Sequence, residues 1–342
     1  MILAIDLGST SFKAAVLDKS LRIRGSHSSR LKYSFAPGGK IEFEVKPSTL
    51  AMGQAIRGAI ADAGIRPEHI KAISVTSQAQ TFTVLNSKGQ PKIPFISWQD
   101  SRPTKTCEKL VRSKALPNFG KHCSFVELIP QLQVCQVRHM QETRRGLIQT
   151  NDQVINLPSY LCYLLTGRSM IDNNLAAMSG LYSLIERGWW SKALKVCGLK
   201  EHQLPSIVPI GSKAGTTTKV ARQFGLPAGI PLILAGNDQT AGAFGASLHK
   251  KNAMLITLGT AQVAYLCKRS LLSATSGLIR GPYPGGLFYG MMADSCGGSL
   301  VNWTKTILSN CETDEAFFSQ AAKALKGSQG LIFEYSDVSN SG

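Results

Sequence analysis

The five residues Asp6-Leu7-Gly8-Ser9-Thr10 constrain this chain more than any other stretch. They separate two short runs, Ile2-Leu3-Ala4-Ile5 and Lys13-Ala14-Ala15-Val16-Leu17. Apolar runs of this length bounded by turn residues read as buried strands. Gly and Ser supply the turn chemistry between them. The prediction is a β-hairpin with a small polar tip, followed by a third strand from Leu21 to Gly25. A carboxylate at the end of a strand can hold a hydrated Mg²⁺. Gly8 lets backbone N–H groups approach a phosphate, and the Ser9 and Thr10 hydroxyls and the Lys13 ammonium add donors. An ordinary hairpin turn also accounts for these residues, so they leave both readings open. No GxxxxGK[ST] and no strict GxGxxG occurs in the chain, so the P-loop and dinucleotide fingerprints are absent.

Further along, Pro47-Ser48-Thr49 predicts a helix start with Ser48 or Thr49 as N-cap. Ile56, Ala59, Ile60 and Ala63 follow at helical spacing, and Gly64 suits the residue just past the helix. Strands are predicted at 72–76 and 81–85, and a mostly polar helical region over 104–165. Trp189 to Gly198 reads as another helix. Ile230 to Ala235 is an apolar strand ending at Gly236-Asn237-Asp238, and Thr240 to Ser247 is a helix rich in small residues. Asp238 sits where ligands bind in open α/β sheets. It is placed to accept a hydroxyl proton, or to cap the helix behind it. Met254 to Leu258 and Val263 to Leu266 read as strands around Gly259-Thr260, a second candidate phosphate hairpin. Gly297-Gly298-Ser299 leads into a helix from Leu300 to Leu308, and the polar tail from Ser336 reads as disordered. The alternation predicts an α/β fold in two units with a boundary near 236.

A chain of 342 residues, 43% hydrophobic, has room for two cores at roughly 150 residues per domain. No uncharged apolar stretch reaches the ~18 residues of a membrane span. The opening lacks a basic leader, so a cytoplasmic location is expected. Eight Cys form no CxxC pair and read as reduced, buried residues. The six His have no partner at catalytic spacing, and no GxSxG occurs. The net charge of +17 is spread without a basic run of five. It suits anionic metabolites, and nucleic acid is not an expected partner. Trp98-Gln99-Asp100-Ser101-Arg102 concentrates an aromatic, an amide, a carboxylate and a guanidinium. That mixture suits a polyol, whose hydroxyls need polar partners and whose C–H face suits an aromatic. A surface loop with an Asp–Arg pair is the alternative.

These residues resemble the FGGY family of carbohydrate kinases, of the actin-like ATPase superfamily. DLGSTSFKAAVLD is similar to the family's first phosphate motif. TSQAQTFTVLNSKGQPKIPFISWQDSR, from Thr76 to Arg102, is similar to its sugar-binding segment. LPSYLCYLLTG and IDNNLAAMSGLYSL resemble an inner helix and its following loop. Residues 204–247 resemble the run into the catalytic Asp, LITLGTAQVAYL the second phosphate motif, and GGSLVNWTKTIL a later helix. The resemblance implies an actin-like, ribonuclease H-like α/β fold. Residues 1–236 would be a sugar- and phosphate-binding domain, and 237–342 an incomplete nucleotide-binding domain. It implies ATP-dependent phosphorylation of a sugar or polyol, with xylulokinase-like members nearest and a ketopentose as the expected substrate. Asp238 is then the general base, and Asp6 and Asp238 hold Mg²⁺. Gly8, Ser9, Thr10, Lys13, Gly259 and Thr260 face ATP, and Glu44, Gln80, Trp98, Gln99, Asp100 and Arg102 contact the sugar.

The chain departs from the pattern in places. Ala79-Gln80 replaces the usual Met-His, and the second phosphate motif reads GTAQ in place of GTSG. Glu44 stands near a WxExDP position, with Glu42 and Lys46 replacing its aromatic and its Asp. The family's text runs on past GLIF to a loop that holds adenosine, whereas this sequence stops at Gly342. The expectation is a truncated kinase, a sugar-binding remnant with impaired catalysis, or a chain completed by another, as a homodimer or with a different partner.

Overall fold

The computed structural model describes residues 1–250, 253–258, 262–294, 297–308 and 313–332. The strands are β1 (Ile2–Leu7), β2 (Ser11–Leu17), β3 (Ile23–Arg30), β4 (Ser34–Ala36), β5 (Lys40–Phe43), β6 (Ala72–Ser77), β7 (Phe82–Leu85), β8 (Phe95–Ile96), β9 (Gln153–Asn156), β10 (Met170–Asp172), β11 (Tyr182–Ser183), β12 (Gly188–Trp189), β13 (Ser206–Val208), β14 (Lys213–Thr216), β15 (Pro231–Asn237), β16 (Met254–Leu258), β17 (Gln262–Lys268), β18 (Ile279–Tyr283) and β19 (Leu287–Asp294). The α-helices are α1 (Val45–Asp62), α2 (Thr104–Arg112), α3 (Phe119–His122), α4 (Gln133–Thr143), α5 (Leu157–Thr166), α6 (Asn173–Ala177), α7 (Ser191–Cys197), α8 (Asp238–Gly245), α9 (Gly298–Leu308) and α10 (Asp314–Ala321). They divide into two units, 1–255 with 265–292, and 256–264 with 293–342.

The first unit is built on a six-stranded sheet of order β14-β15-β6-β1-β2-β3. Its central strands β15, β6 and β1 are parallel, and β14, β2 and β3 pair antiparallel outside them. Parallel neighbours need a crossover, and α1 supplies the one from β1 to β6. Leu3, Ile5 and Leu7 alternate onto one face of β1 and are buried with Met52, Ala55, Ile56 and Ala59 of α1 and Leu157, Leu161 and Leu165 of α5. The opposite face carries Ala4, Asp6, Ala15, Ser74, Thr76 and Ala235 around an open cleft of about 550 Å³. The three parallel strands end at one edge, which collects Asp6, Ser77 and Asn237.

A second sheet of order β4-β5-β8-β7-β9 stands beside it, with every neighbouring pair antiparallel. β17, β19 and β18 lie side by side in a third. In the second unit, α9 and α10 are tied by Lys305 and Asp314 at 2.6 Å. The cysteines resolved as free thiols are mostly buried. Among the described residues no helix is long and apolar enough to cross a membrane.

Several elements differ from the sequence expectation. The third strand starts at Ile23, because Asp18 Oδ1 accepts the Ser20 and Arg22 N–H groups and Leu21 takes φ +59°. The turn therefore persists two residues longer. Helix α1 begins at Val45, with Pro47 tolerated in its first turn where no N–H bond is needed. Ser48 and Thr49 are therefore inside the helix, and their hydroxyls donate back to the Glu44 and Val45 carbonyls. The region 104–165 is broken into α2, α3, α4, β9 and α5, with Pro117, Pro130 and Gly146 among the breaks. The tail from Ser336 lies outside the described residues.

Gly25 marks the closest approach of strand and helix. A Cβ there would lie 2.2 Å from the Ala63 nitrogen, a backbone atom. Gly25→Ala is expected to lower stability by about 3 kcal/mol, because β3 and α1 must separate. Urea unfolding checks this, and an unchanged midpoint would mean that the contact gives way freely.

Candidate active site

Asp6 lies opposite Lys13 in the β1–β2 register. Burial raises its pKa, and the Lys13 ammonium pulls it back. Its Oδ1 is buried with no hydrogen-bond partner. A Cβ on Gly8 would sit 3.2 Å from the Ser11 carbonyl oxygen and under 4 Å from both Asp6 carboxylate oxygens. The tip is therefore drawn tightly around the carboxylate, with Ser9 half-buried and Thr10 exposed. Gln78 Nε2 donates to the Gly8 carbonyl at 3.3 Å.

Asp238 is the first residue of α8. The capping role belongs to Asn237, whose side chain accepts from Thr240 N at 3.2 Å. Asp238 Oδ1 accepts from Asn237 Nδ2 at 2.6 Å and from Gln239 N at 2.8 Å. Both bonds fall on one oxygen and leave Oδ2 unengaged among the described residues. Burial pushes the Asp238 pKa up to about 6, and the Asp6 charge adds to the rise against the two hydrogen bonds. The two carboxylates thus repel each other in partly desolvated surroundings, and Asp6 has an orphaned oxygen. That donor set fits a divalent cation. Mg²⁺, which is held through one or two carboxylates and keeps several waters, matches a two-carboxylate set.

Buried side chains hold the turn that carries Asp238. Asp172 caps α6 through Leu175 N at 2.9 Å and accepts Gly236 N at 3.2 Å. Asn174 Oδ1 accepts Asn237 N at 3.0 Å, and its Nδ2 donates to Thr240 Oγ1 at 3.1 Å and to the Pro282 carbonyl at 2.7 Å. Thr240 Oγ1 meets the Tyr265 hydroxyl at 2.9 Å. Gly236 has φ +77°, and a Cβ there would lie 2.4 Å from Ile210 Cδ1. Gly236→Ala is expected to cost about 2 kcal/mol in strain and crowding. Thermal melting tests this, and a melting temperature equal to wild type would contradict it.

The residues around Arg102 form a second cluster. Asp100 is fully buried. Its oxygens accept Arg102 Nε at 3.0 and 2.9 Å, Arg102 N at 3.1 Å and Ile41 N at 2.8 Å. Arg102 Nη2 donates to Glu42 Oε1 at 2.6 Å, and Lys40 Nζ lies 3.1 Å from Glu42 Oε2. Gln136 Nε2 donates to the Asp100 carbonyl at 2.6 Å. Trp98 and Gln99 are exposed beside the cluster. Gln80 is buried at φ +64° and donates to the Met178 carbonyl at 3.2 Å. Glu44 is exposed at the N-cap position of α1 and makes no capping bond. Glu42 is the second acid on Arg102, beside Asp100. Gly259 and Thr260 lie outside the described residues.

The stretch 76–81 touches both clusters. Thr76 Oγ1 donates to the Gly236 carbonyl at 2.8 Å, Gln78 reaches Gly8, and Thr81 Oγ1 accepts Trp98 N at 3.1 Å. Sequence reasoning missed Glu42, Asp172, Asn174 and Gln136. A buried acid on a strand beside Ile41 and Phe43 was the available signal for Glu42.

Residues 1–245 match the FGGY family of carbohydrate kinases, N-terminal domain. The glycerol kinase of Agrobacterium fabrum is 29% identical over 273 residues, covering 78% of this chain and 54% of its own. The chain spans about half the length of the curated relatives it matches. The xylulose kinase from Rhodospirillum rubrum superposes with a TM-score of 0.87 at 22% identity, over 96% of this chain and 69% of that one. The gluconate kinase from Lactobacillus acidophilus superposes at 0.83 and 19% identity, over 97% and 67%. The fold is the actin-like ATPase fold of these sugar kinases. With the family's N-terminal domain matched over most of its length, the chain belongs to the FGGY family of carbohydrate kinases.

Proposed function

We propose that this chain takes part in ATP-dependent phosphorylation of a hydroxyl on a sugar or polyol. The observation that carries this reading is the Asp6–Asp238 pair at the edge where the parallel strands end, with the Asp238 pKa at about 6. In this reading Asp238 accepts the proton as the acceptor hydroxyl attacks the terminal phosphate of ATP. Lys13 and the backbone from Gly8 to Thr10 face the phosphates. Asp6 and Asp238 would hold Mg²⁺, which would supply positive charge at the phosphates. Trp98 offers a face to the C–H side of the sugar, while Gln80, Gln99, Asp100, Arg102 and Glu44 supply polar contacts. Residues 1–236 serve the acceptor and the phosphates and 237–342 serve the nucleotide, with Gly259 and Thr260, which lie outside the described residues, as further candidate phosphate contacts. A cytoplasmic location fits a consumer of ATP.

Relatives named glycerol kinase and neighbours named xylulose kinase make a triol and a ketopentose the first acceptors to test. The experiment is coupled ADP release with Mg-ATP and a panel of polyols, ketoses and aldoses, beside Asp238→Ala. Acceptor-dependent release that the substitution removes is the expected result. A carbohydrate bound without turnover would replace the kinase reading with a sugar-binding one. Neither binding nor turnover would refute both.

A further inference from the structure

We infer that Glu42 is a specificity determinant that restricts the acceptor to neutral polyols and ketoses and excludes sugar acids. This rests on the reading that the Arg102 cluster contacts the acceptor. An arginine beside a sugar site is ordinarily the group that would draw in a substrate carboxylate. Here its charge is already matched. Arg102 Nε and Nη2 are bound to Asp100 and Glu42, at 2.6 to 3.0 Å. Lys40, the other cation of the cluster, is paired with the same Glu42 at 3.1 Å. Two acids and two cations cancel.

His139 does not supply a further charge. Its Nδ1 meets Thr106 Oγ1 at 3.2 Å. Burial and the nearby Arg102 charge hold its pKa below the usual value, so it is neutral at pH 7. Lys13 stands at the phosphate end, opposite Asp6. A carboxylate entering the Arg102 cluster would therefore find Arg102 and Lys40 already paired with Glu42 and Asp100, and would give up its hydration without gaining an uncommitted cation among them.

A hydroxyl meets a different environment. Arg102 has five N–H donors, and Nη1 has no recorded partner among the described residues. The guanidinium thus keeps a donor edge while its net attraction for anions is spent. Glu42 and Asp100 are buried and held in place, so the arrangement exists before any ligand arrives. The cluster offers hydrogen bonds without net charge, which is the chemistry of a neutral polyol site.

The test is calorimetric binding of D-xylulose, glycerol and D-gluconate to the full chain, for wild type, Glu42→Gln and Lys40→Gln. Wild type is expected to bind a neutral compound about tenfold or more tightly than gluconate. Glu42→Gln leaves Arg102 with excess positive charge and should shrink that ratio about tenfold. Lys40→Gln, at a half-exposed position, leaves excess negative charge and should widen it. Gluconate binding as tightly as the neutral compounds would overturn the inference and leave the carbohydrate reading intact. A ratio unmoved in both variants would also overturn it. Binding of none of the three would overturn the functional reading itself.

Discussion

Asp238→Asn is expected to abolish acceptor-dependent ADP release and at the same time to make the protein more stable. The loss of rate follows from the role of the carboxylate: an amide cannot take the hydroxyl proton, and removing a positioned base costs about 10² to 10⁴-fold. The gain in stability follows from the environment. The Asp238 carboxyl is raised from 3.8 to about 6 by burial and by Asp6. A raised acid binds its proton more tightly in the folded state. Its ionised form therefore carries a penalty that is fully present above about pH 6 and fades as pH falls toward 3.8. An asparagine keeps the Oδ1 acceptor for Asn237 and Gln239 and removes the charge. The expected gain at pH 7 is ~2 kcal/mol, against a ceiling near 3 kcal/mol from the size of the shift. Melting in the absence of Mg²⁺ and nucleotide should show it at pH 7 and show much less at pH 4. A variant no more stable than wild type at pH 7 would mean that the carboxylate is not under electrostatic strain.

The second large effect is expected at Asn174, which touches neither ligand in the proposed mechanism. Its fully buried amide joins Asn237 N, Thr240 Oγ1 and the Pro282 carbonyl. Leucine has a similar size, so Asn174→Leu isolates the lost hydrogen bonds from any cavity. At least two main-chain groups would be left buried and unpaired, at about 1–3 kcal/mol each. A destabilisation of about 4 kcal/mol is expected in urea unfolding. The N-terminus of α8 then loses one of its anchors. The rate constant for turnover should fall more than the acceptor KM changes, because Asp238 moves while the Arg102 cluster stays in place. A fall confined to KM would contradict this positioning role.

What was legible in the sequence was local. The Asp6–Thr10 turn could be read because apolar runs flank it within a few residues. Asp238 could be read because it follows an apolar strand directly. The glycine just past α1 announced itself in the same way. What failed was whatever depended on distant partners. The Arg102–Glu42 pair spans 60 positions, too far apart for local pattern to join them. Asn174 and Asp172 act on a turn more than 60 positions away. The sequence offered Asp238 as the cap of α8, and its neighbour Asn237 holds that place, both being good caps. Backbone geometry decided it for Asn237. The left-handed conformation of Gln80 left no trace in residue type, because the carbonyl that accepts its side-chain amide belongs to Met178, 98 positions away.

The stretch 76–81 is bonded toward Gly8 and Gly236 at one end and toward Trp98 at the other. A ligand that stiffens one end of such a short segment spends conformational entropy that a second ligand at the other end need not spend again. In the proposed reading, filling either subsite is expected to tighten the other, by the same factor in both directions.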